Sequence, residues 1–123
     1  MMKEKTFEWG GAVFTVKPAT IGNRFYYHIF LNAVNELRPD TYDSLRFYFS
    51  KAMAQTTVEG TLDWQAPHPG DDASTIAVAF DEWLELPPDL GDLWLSALGA
   101  VDKPLVDEEL QPGVDVNDLD PKD

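Results

Sequence analysis

A chain of 123 residues, 44% apolar and 12% aromatic, is long enough for one domain with a real core, and its lack of cysteine excludes disulfides, thiolate nucleophiles and Cys-ligated zinc. The net charge of −13 is uneven: residues 1–57 carry +2, residues 58–101 hold nine acids and no base, and residues 102–123 carry −6. That balance disfavours nucleic acid, since phosphate binding needs clustered Lys and Arg, and it suits a basic partner or head-to-tail contact between copies.

The opening MMKEKTFEWGG has no signal-peptide core, and no apolar run approaches the ~18 residues of a membrane span. A soluble intracellular protein with no membrane contact is expected. Within KTFEWGGAVFTVK, Gly10-Gly11 predicts a two-residue hairpin over 5–17. Pairing Trp9 with Ala12 sets Phe7 opposite Phe14 and Lys5 opposite Val16. One face is then Phe7, Trp9, Ala12, Phe14 and Val16, and a one-residue slip would bury Glu8 instead.

Four helices follow. Thr20 caps the first, about 20–37, whose stripe is Tyr26, Ile29, Phe30, Ala33, Val34 and Leu37. Asp40 or Thr41 caps the second, about 41–54, with Tyr42, Leu45, Tyr48, Phe49, Ala52 and Met53 in line. Residues 56–72 contain Gly60, Pro67, Pro69 and Gly70 and read as a long loop, with a short strand through Thr61–Trp64. Asp72 or Ser74 starts the third helix, about 73–86, with Ile76, Ala79, Phe80 and Trp83 on one side. Pro87-Pro88 ends it, and Asp89 caps the fourth, about 89–101, along Leu90, Leu93, Trp94, Ala97, Leu98 and Val101. Residues 1–101 form the single globular domain. Residues 102–123, with three prolines and eight acids, read as an acidic extended C-terminal tail. The fold class is mainly α, within α+β: an N-terminal β-hairpin followed by about four helices.

Few groups offer chemistry. His28 sits at a stripe edge without a partner at i+4, and reads as structural. His68 with Asp71 and Asp72 supplies one imidazole and two adjacent carboxylates, short of a complete shell for a divalent cation. There is no G-x-S-x-G, no P-loop and no G-x-G-x-x-G after a strand. Among 22 acids no catalytic pair stands out. No catalytic, cofactor-binding or metal-binding residue is assigned, no cofactor is expected, and an enzyme is the less favoured class. A hydrolase using His68, Asp71 and Asp72 ranks third among the readings.

The stretch DEWLELPPDLGDLWLSALG holds two tryptophan-bearing segments around the double proline. Leu84 beside Trp83 and Leu95 beside Trp94 widen the apolar arc beyond one neighbour's need, which points to a second apolar partner. Acids at Asp81, Glu82, Glu85 and Asp92 form a polar rim. The candidate partner-binding residues are therefore Trp83, Leu84, Leu90, Trp94 and Leu95.

The pattern F-x-x-W-x-x-L-P-x-x-L-x-x-L-W-x-x-A-L comprises Phe80, Trp83, Leu86, Pro87, Leu90, Leu93, Trp94, Ala97 and Leu98. With a hairpin before it and an acidic tail after it, it resembles the tail assembly chaperones of long-tailed bacteriophages. The resemblance implies a helical, non-enzymatic protein of the host bacterial cytoplasm, not retained in the mature virion. It implies partners too: a tape-measure protein, coated and kept soluble until tail-tube subunits replace the chaperone, with self-association during coating. The second proline, Pro88, departs from the pattern. The alternative is an acidic DNA mimic inhibiting a nucleic-acid enzyme, which requires acids along one ridge at phosphate spacing.

Overall fold

Alternating apolar residues and two glycines build the first element. In the computed structural model, which describes residues 3–60 and 64–102, strands β1 (Lys5–Trp9) and β2 (Ala12–Val16) pair antiparallel. Gly10 and Gly11 turn between them with φ of 60° and 83°, the left-handed values of a tight hairpin turn. The register is Trp9 with Ala12, Phe7 with Phe14 and Lys5 with Val16, as the alternation predicts. Ala12, Phe14 and Val16 are buried, and Phe7 stacks on Phe14 with ring centroids 4.8 Å apart.

A third strand, β3 (Thr56–Gly60), pairs antiparallel with β2, so the sheet order is β1-β2-β3. This corrects the expected loop over its first residues, 56–60. The preceding helix runs directly into β3, because the β-branched run Thr56-Thr57-Val58 fits a pleated edge better than a helix or coil. Residues 61–63 of the expected strand lie outside the described residues. Trp64 is buried, and its Nε1–H donates to the Ala79 carbonyl at 3.3 Å. The acidic tail from residue 103 onward also lies outside the described residues.

Helix α1 (Ile21–Leu37) opens with a reciprocal cap: Thr20 Oγ1 accepts from the Asn23 N–H, and Asn23 Oδ1 accepts from the Thr20 N–H. Helix α2 (Asp43–Gln55) starts at Tyr42 without a side-chain cap, not at Asp40 or Thr41. Buried Arg46 organises that turn instead. Its guanidinium donates to the carbonyls of Arg38, Pro39 and Thr41, to Asn35 Oδ1 and to the Asp43 carboxylate. Helix α3 (Ala73–Leu84) is capped by Asp72, which accepts from the Thr75 N–H at 2.8 Å. It stops two residues short of the expected 86, where the Glu85 and Leu86 amides close a tighter last turn onto the Glu82 and Trp83 carbonyls. Helix α4 (Pro88–Asp102) begins at Pro88 rather than after Asp89. The N–H of a first helical residue has no acceptor within the helix, so proline loses nothing by lacking it and also presets its φ; Pro88 therefore starts α4 while Pro87 separates it from α3. Asp89 is a tether, not a cap: its carboxylate accepts from the Trp9 indole at 3.1 Å, tying α4 to β1.

The core lies between the inner sheet face and the helices, with Trp94 at its centre. Its ring meets Phe14 at 5.1 Å, Trp64 at 6.2 Å and Trp83 at 6.3 Å, and its Nε1–H donates to Thr56 Oγ1 at 2.8 Å. The expected stripes are only partly buried. Phe30, Ala33 and Val34 of α1 and Phe49, Ala52 and Met53 of α2 are inside, whereas Tyr26, Ile29, Tyr42, Tyr48 and Leu93 are exposed. On α2 the buried face is shared by polar Arg46, Ser50 and Gln55. Ser50 donates to the Arg46 carbonyl and Gln55 to the Lys17 carbonyl, so the burial is hydrogen-bonded.

Arg38, at the end of α1, forks onto Asp81 of α3 through Nε–Oδ1 and NH2–Oδ2 contacts of 2.7 and 2.6 Å. The hydrogen bond from Arg38 holds the Asp81 carboxyl below its ordinary range, and the Thr75 hydrogen bonds do the same for Asp72. Both groups bind protons less readily folded than unfolded. Their stabilisation is complete above the ordinary carboxylate range and is lost as pH falls through the depressed folded values. Urea unfolding followed from about pH 6 to about pH 3 is expected to show a falling midpoint. Asp81→Asn is expected to flatten that slope, and an unchanged slope would remove the pair from the acid sensitivity.

Candidate partner-binding surface

The histidines are absorbed by local structure. His68 and Asp71 close a turn on each other, with the His68 N–H donating to Asp71 Oδ2 at 2.9 Å and the Asp71 N–H to the His68 carbonyl. Asp72 is occupied as the α3 cap. His28 packs edge-on against Tyr27 at 5.3 Å. Among the described residues no group of three or more His, Asp or Glu converges to hold a metal. No described helix is long and apolar enough to cross a membrane.

The segment around the double proline divides into inside and outside. Leu90 and Trp94 are sealed in the core and present no side chain to a partner, a correction to the set expected from the sequence. They are buried because α4 lays this stripe across the sheet. Trp83 is half-buried, its ring against Phe49 at 5.5 Å and Trp94 at 6.3 Å. Leu84 and Leu95 remain accessible at 37% and 42%, as does Leu93 at 42%. Leu93 and Leu95 are two positions apart, about 200° around a helix, so they flank opposite edges of the buried stripe. The arc is wide, yet its exposed part is separate leucines rather than one strip.

The larger apolar face is on α1, where sequence reasoning did not find it. Ile21, Phe25 and Ile29 are exposed at 81%, 66% and 40%. Their spacing of four residues places them in one row. Phe30 and Val34 face the core from the other side of the same helix. Beside the row stand Arg24, His28 and Asn32, all exposed; Phe47 and Tyr48 of α2, also exposed, line a separate cleft between α1 and α2 with Tyr27. The signal in the sequence was a helix apolar on two faces. One face serves the core, and the other is left exposed among the described residues. The expected stripe assigned Ile29 to the core, which hid the row it belongs to.

Chemically, this surface can bury aliphatic and aromatic groups and donate from one guanidinium. Among the described residues no cluster of metal ligands lies along it. The chain matches no model of a known protein family, no curated protein and no solved structure.

Proposed function

We propose that this protein is a non-enzymatic binding protein whose α1 row docks an amphipathic helix of a partner. In this reading it acts in the host bacterial cytoplasm as a tail assembly chaperone of a long-tailed phage. The docked helix belongs to the tape-measure protein, which tail-tube subunits later take over. The observation that carries the reading is the Ile21–Phe25–Ile29 row, an exposed apolar seam on a helix whose opposite face is already packed. Two further features support it. The charge of −13 favours a partner with basic residues beside its seam and keeps the complex soluble. The order of hairpin, helices and Pro-bounded tryptophan helix is that of the resemblance.

Three side chains, each worth roughly 1.5–3 kcal/mol on burial, are offset by the cost of association. The balance favours a contact that can be released, as a chaperone requires. Co-expression with the tape-measure gene of the same genome, followed by affinity capture, tests the reading. Wild type is expected to retain the tape-measure protein in the soluble fraction. Phe25→Asp is expected to lose at least tenfold in capture, while Leu95→Asp retains it. Equal capture by both variants would overturn the proposed surface, and no capture by wild type would overturn the proposed partner.

A further inference from the structure

The open edge of the sheet is a surface of a different kind. The Lys17 N–H donates to the Gln55 carbonyl at 2.8 Å, one step before β3 begins. Antiparallel ladders alternate, so Thr57 and Glu59 turn their backbone groups toward Thr15 and Val13 of β2, and Thr56, Val58 and Gly60 turn theirs outward. Among the described residues no hydrogen bond reaches the Val58 N–H or C=O from that side. β3 also lacks what guards an edge strand: its five residues pair without a bulge and include no lysine or proline. Beside this edge is a cavity of about 1170 Å³, bordered by Thr56, Thr57, Val58 and Gly60 but not by Glu59. Tyr26 of α1, Met53 of α2 and the Ala66-Pro67 pair also border it. Buried Trp64 and the His68–Asp71 turn fix that pair from both ends. A five-residue strand at ordinary sheet spacings, ~17 Å long, ~4.8 Å wide and ~10 Å deep, occupies ~800 Å³, so there is room for one and not for two.

We propose that the outer edge of β3 takes up an extended segment of another protein as a fourth strand, one in which apolar residues alternate with basic ones. Three observations choose this occupant. Outward backbone groups at every second residue are matched by another extended backbone and not by a helix, whose own groups are used internally. The inward positions of the added strand stand beside Val58 and Met53, both packed on the core, which calls for apolar side chains at alternate residues. Its outward positions stand beside exposed Glu59, in the stretch 58–101 that holds nine acids and no base, which calls for Lys or Arg. A second copy, itself carrying −13, or residues 103–123, with seven acids and two lysines, would bring further acid to the same face. The assignment rests neither on the α1 row nor on the partner proposed for it.

Amide hydrogen exchange in the full chain, followed by NMR, tests it with a defined probe, the heptapeptide KVKVKVK blocked at both ends. In dilute free protein the Val58 amide is expected to exchange at least tenfold faster than those of Thr57 and Glu59, which the β2 ladder holds. Millimolar peptide is expected to slow Val58 at least fivefold. The same peptide N-methylated at its valines keeps every side chain but loses the donors that face β3, and is expected to leave the Val58 rate unchanged. No slowing by the unmethylated peptide would overturn the proposal. Equal slowing by both peptides would overturn it as well, since the groove would then take side chains rather than a strand. A Val58 amide already protected in dilute free protein would assign the edge to the chain's own remaining residues, and protection that grows with protein concentration alone would assign it to a second copy. Either result would overturn the proposed occupant.

Discussion

Trp94→Ala is expected to destabilise the fold by about 3–5 kcal/mol, the range for removing a large aromatic side chain from a packed core. Trp94 is 2% exposed and touches the rings of Phe14, Trp64 and Trp83, so one truncation opens a cavity facing the sheet, the 64–72 segment and α3. In thermal unfolding, a loss of this size in a domain of about 100 residues lowers Tm by at least about 12 °C. Trp94→Phe separates the two contributions. It keeps a ring in the cavity but removes the Nε1–H donated to Thr56, and is expected to cost less than half as much. If the alanine variant melted within a few degrees of wild type, Trp94 would not be the centre of the core.

Gly60→Ala acts through backbone rather than volume. Gly60 closes β3 opposite Ala12 with φ of 129°, where L side chains are strained. A Cβ there would lie 2.5 Å from the Gly11 carbonyl oxygen and 2.7 Å from the Ala12 Cα. Neither atom can swing aside as a side chain would, so the β2–β3 pairing must open at its end. Strain and displacement together are expected to cost about 2–4 kcal/mol in urea unfolding. Gly91→Ala is the contrasting control, since a Cβ there meets nothing within 4 Å and the position is inside α4. It is expected to be stabilising, by roughly 0.5–1 kcal/mol. Equal effects of the two substitutions would contradict the close approach of β3 to the hairpin turn.

Both substitutions bear on where the sequence was readable. The hairpin register was legible to the residue, because alternation and a Gly-Gly turn admit one pairing. The Thr20 cap was legible for a similar reason, a short polar side chain just before an apolar period, and Asp72 stood as one of two candidates with Ser74. β3 was not. Its residues carry no clean alternation, and what holds them is pairing with β2, a long-range contact that local pattern does not encode. The α2 cap was missed because Arg46, a residue that reads as surface, is buried and supplies the turn's hydrogen bonds from inside the helix.

Of the candidate surface, the sequence pointed to Leu84 and Leu95, which are exposed, and not to the α1 row. An apolar arc widened by Leu84 and Leu95 was visible, but Leu90 and Trp94, grouped with them, are enclosed in the core. With β3 and Trp64 added, the core has room for both. The surplus lies instead on α1, where Ile21 and Phe25 fell outside the stripe that ordinary core periodicity selects. Helical spacing alone does not say which of two apolar faces turns inward. Packing of Phe30 against Phe49, with centroids 6.3 Å apart, decides it.

The central claim is that the α1 row is uncovered in the free protein and covered in its complex, and the Phe25→Asp variant reads both halves in one comparison. Thermal unfolding of the isolated variant is expected to give a Tm within about 2 °C of wild type, as for a surface substitution away from the core, while the same preparation fails to hold the proposed partner, the tape-measure protein, in solution. A large drop in Tm would mean that Phe25 is already packed in the free molecule, and full retention of the partner at unchanged Tm would mean that the row is not where it binds.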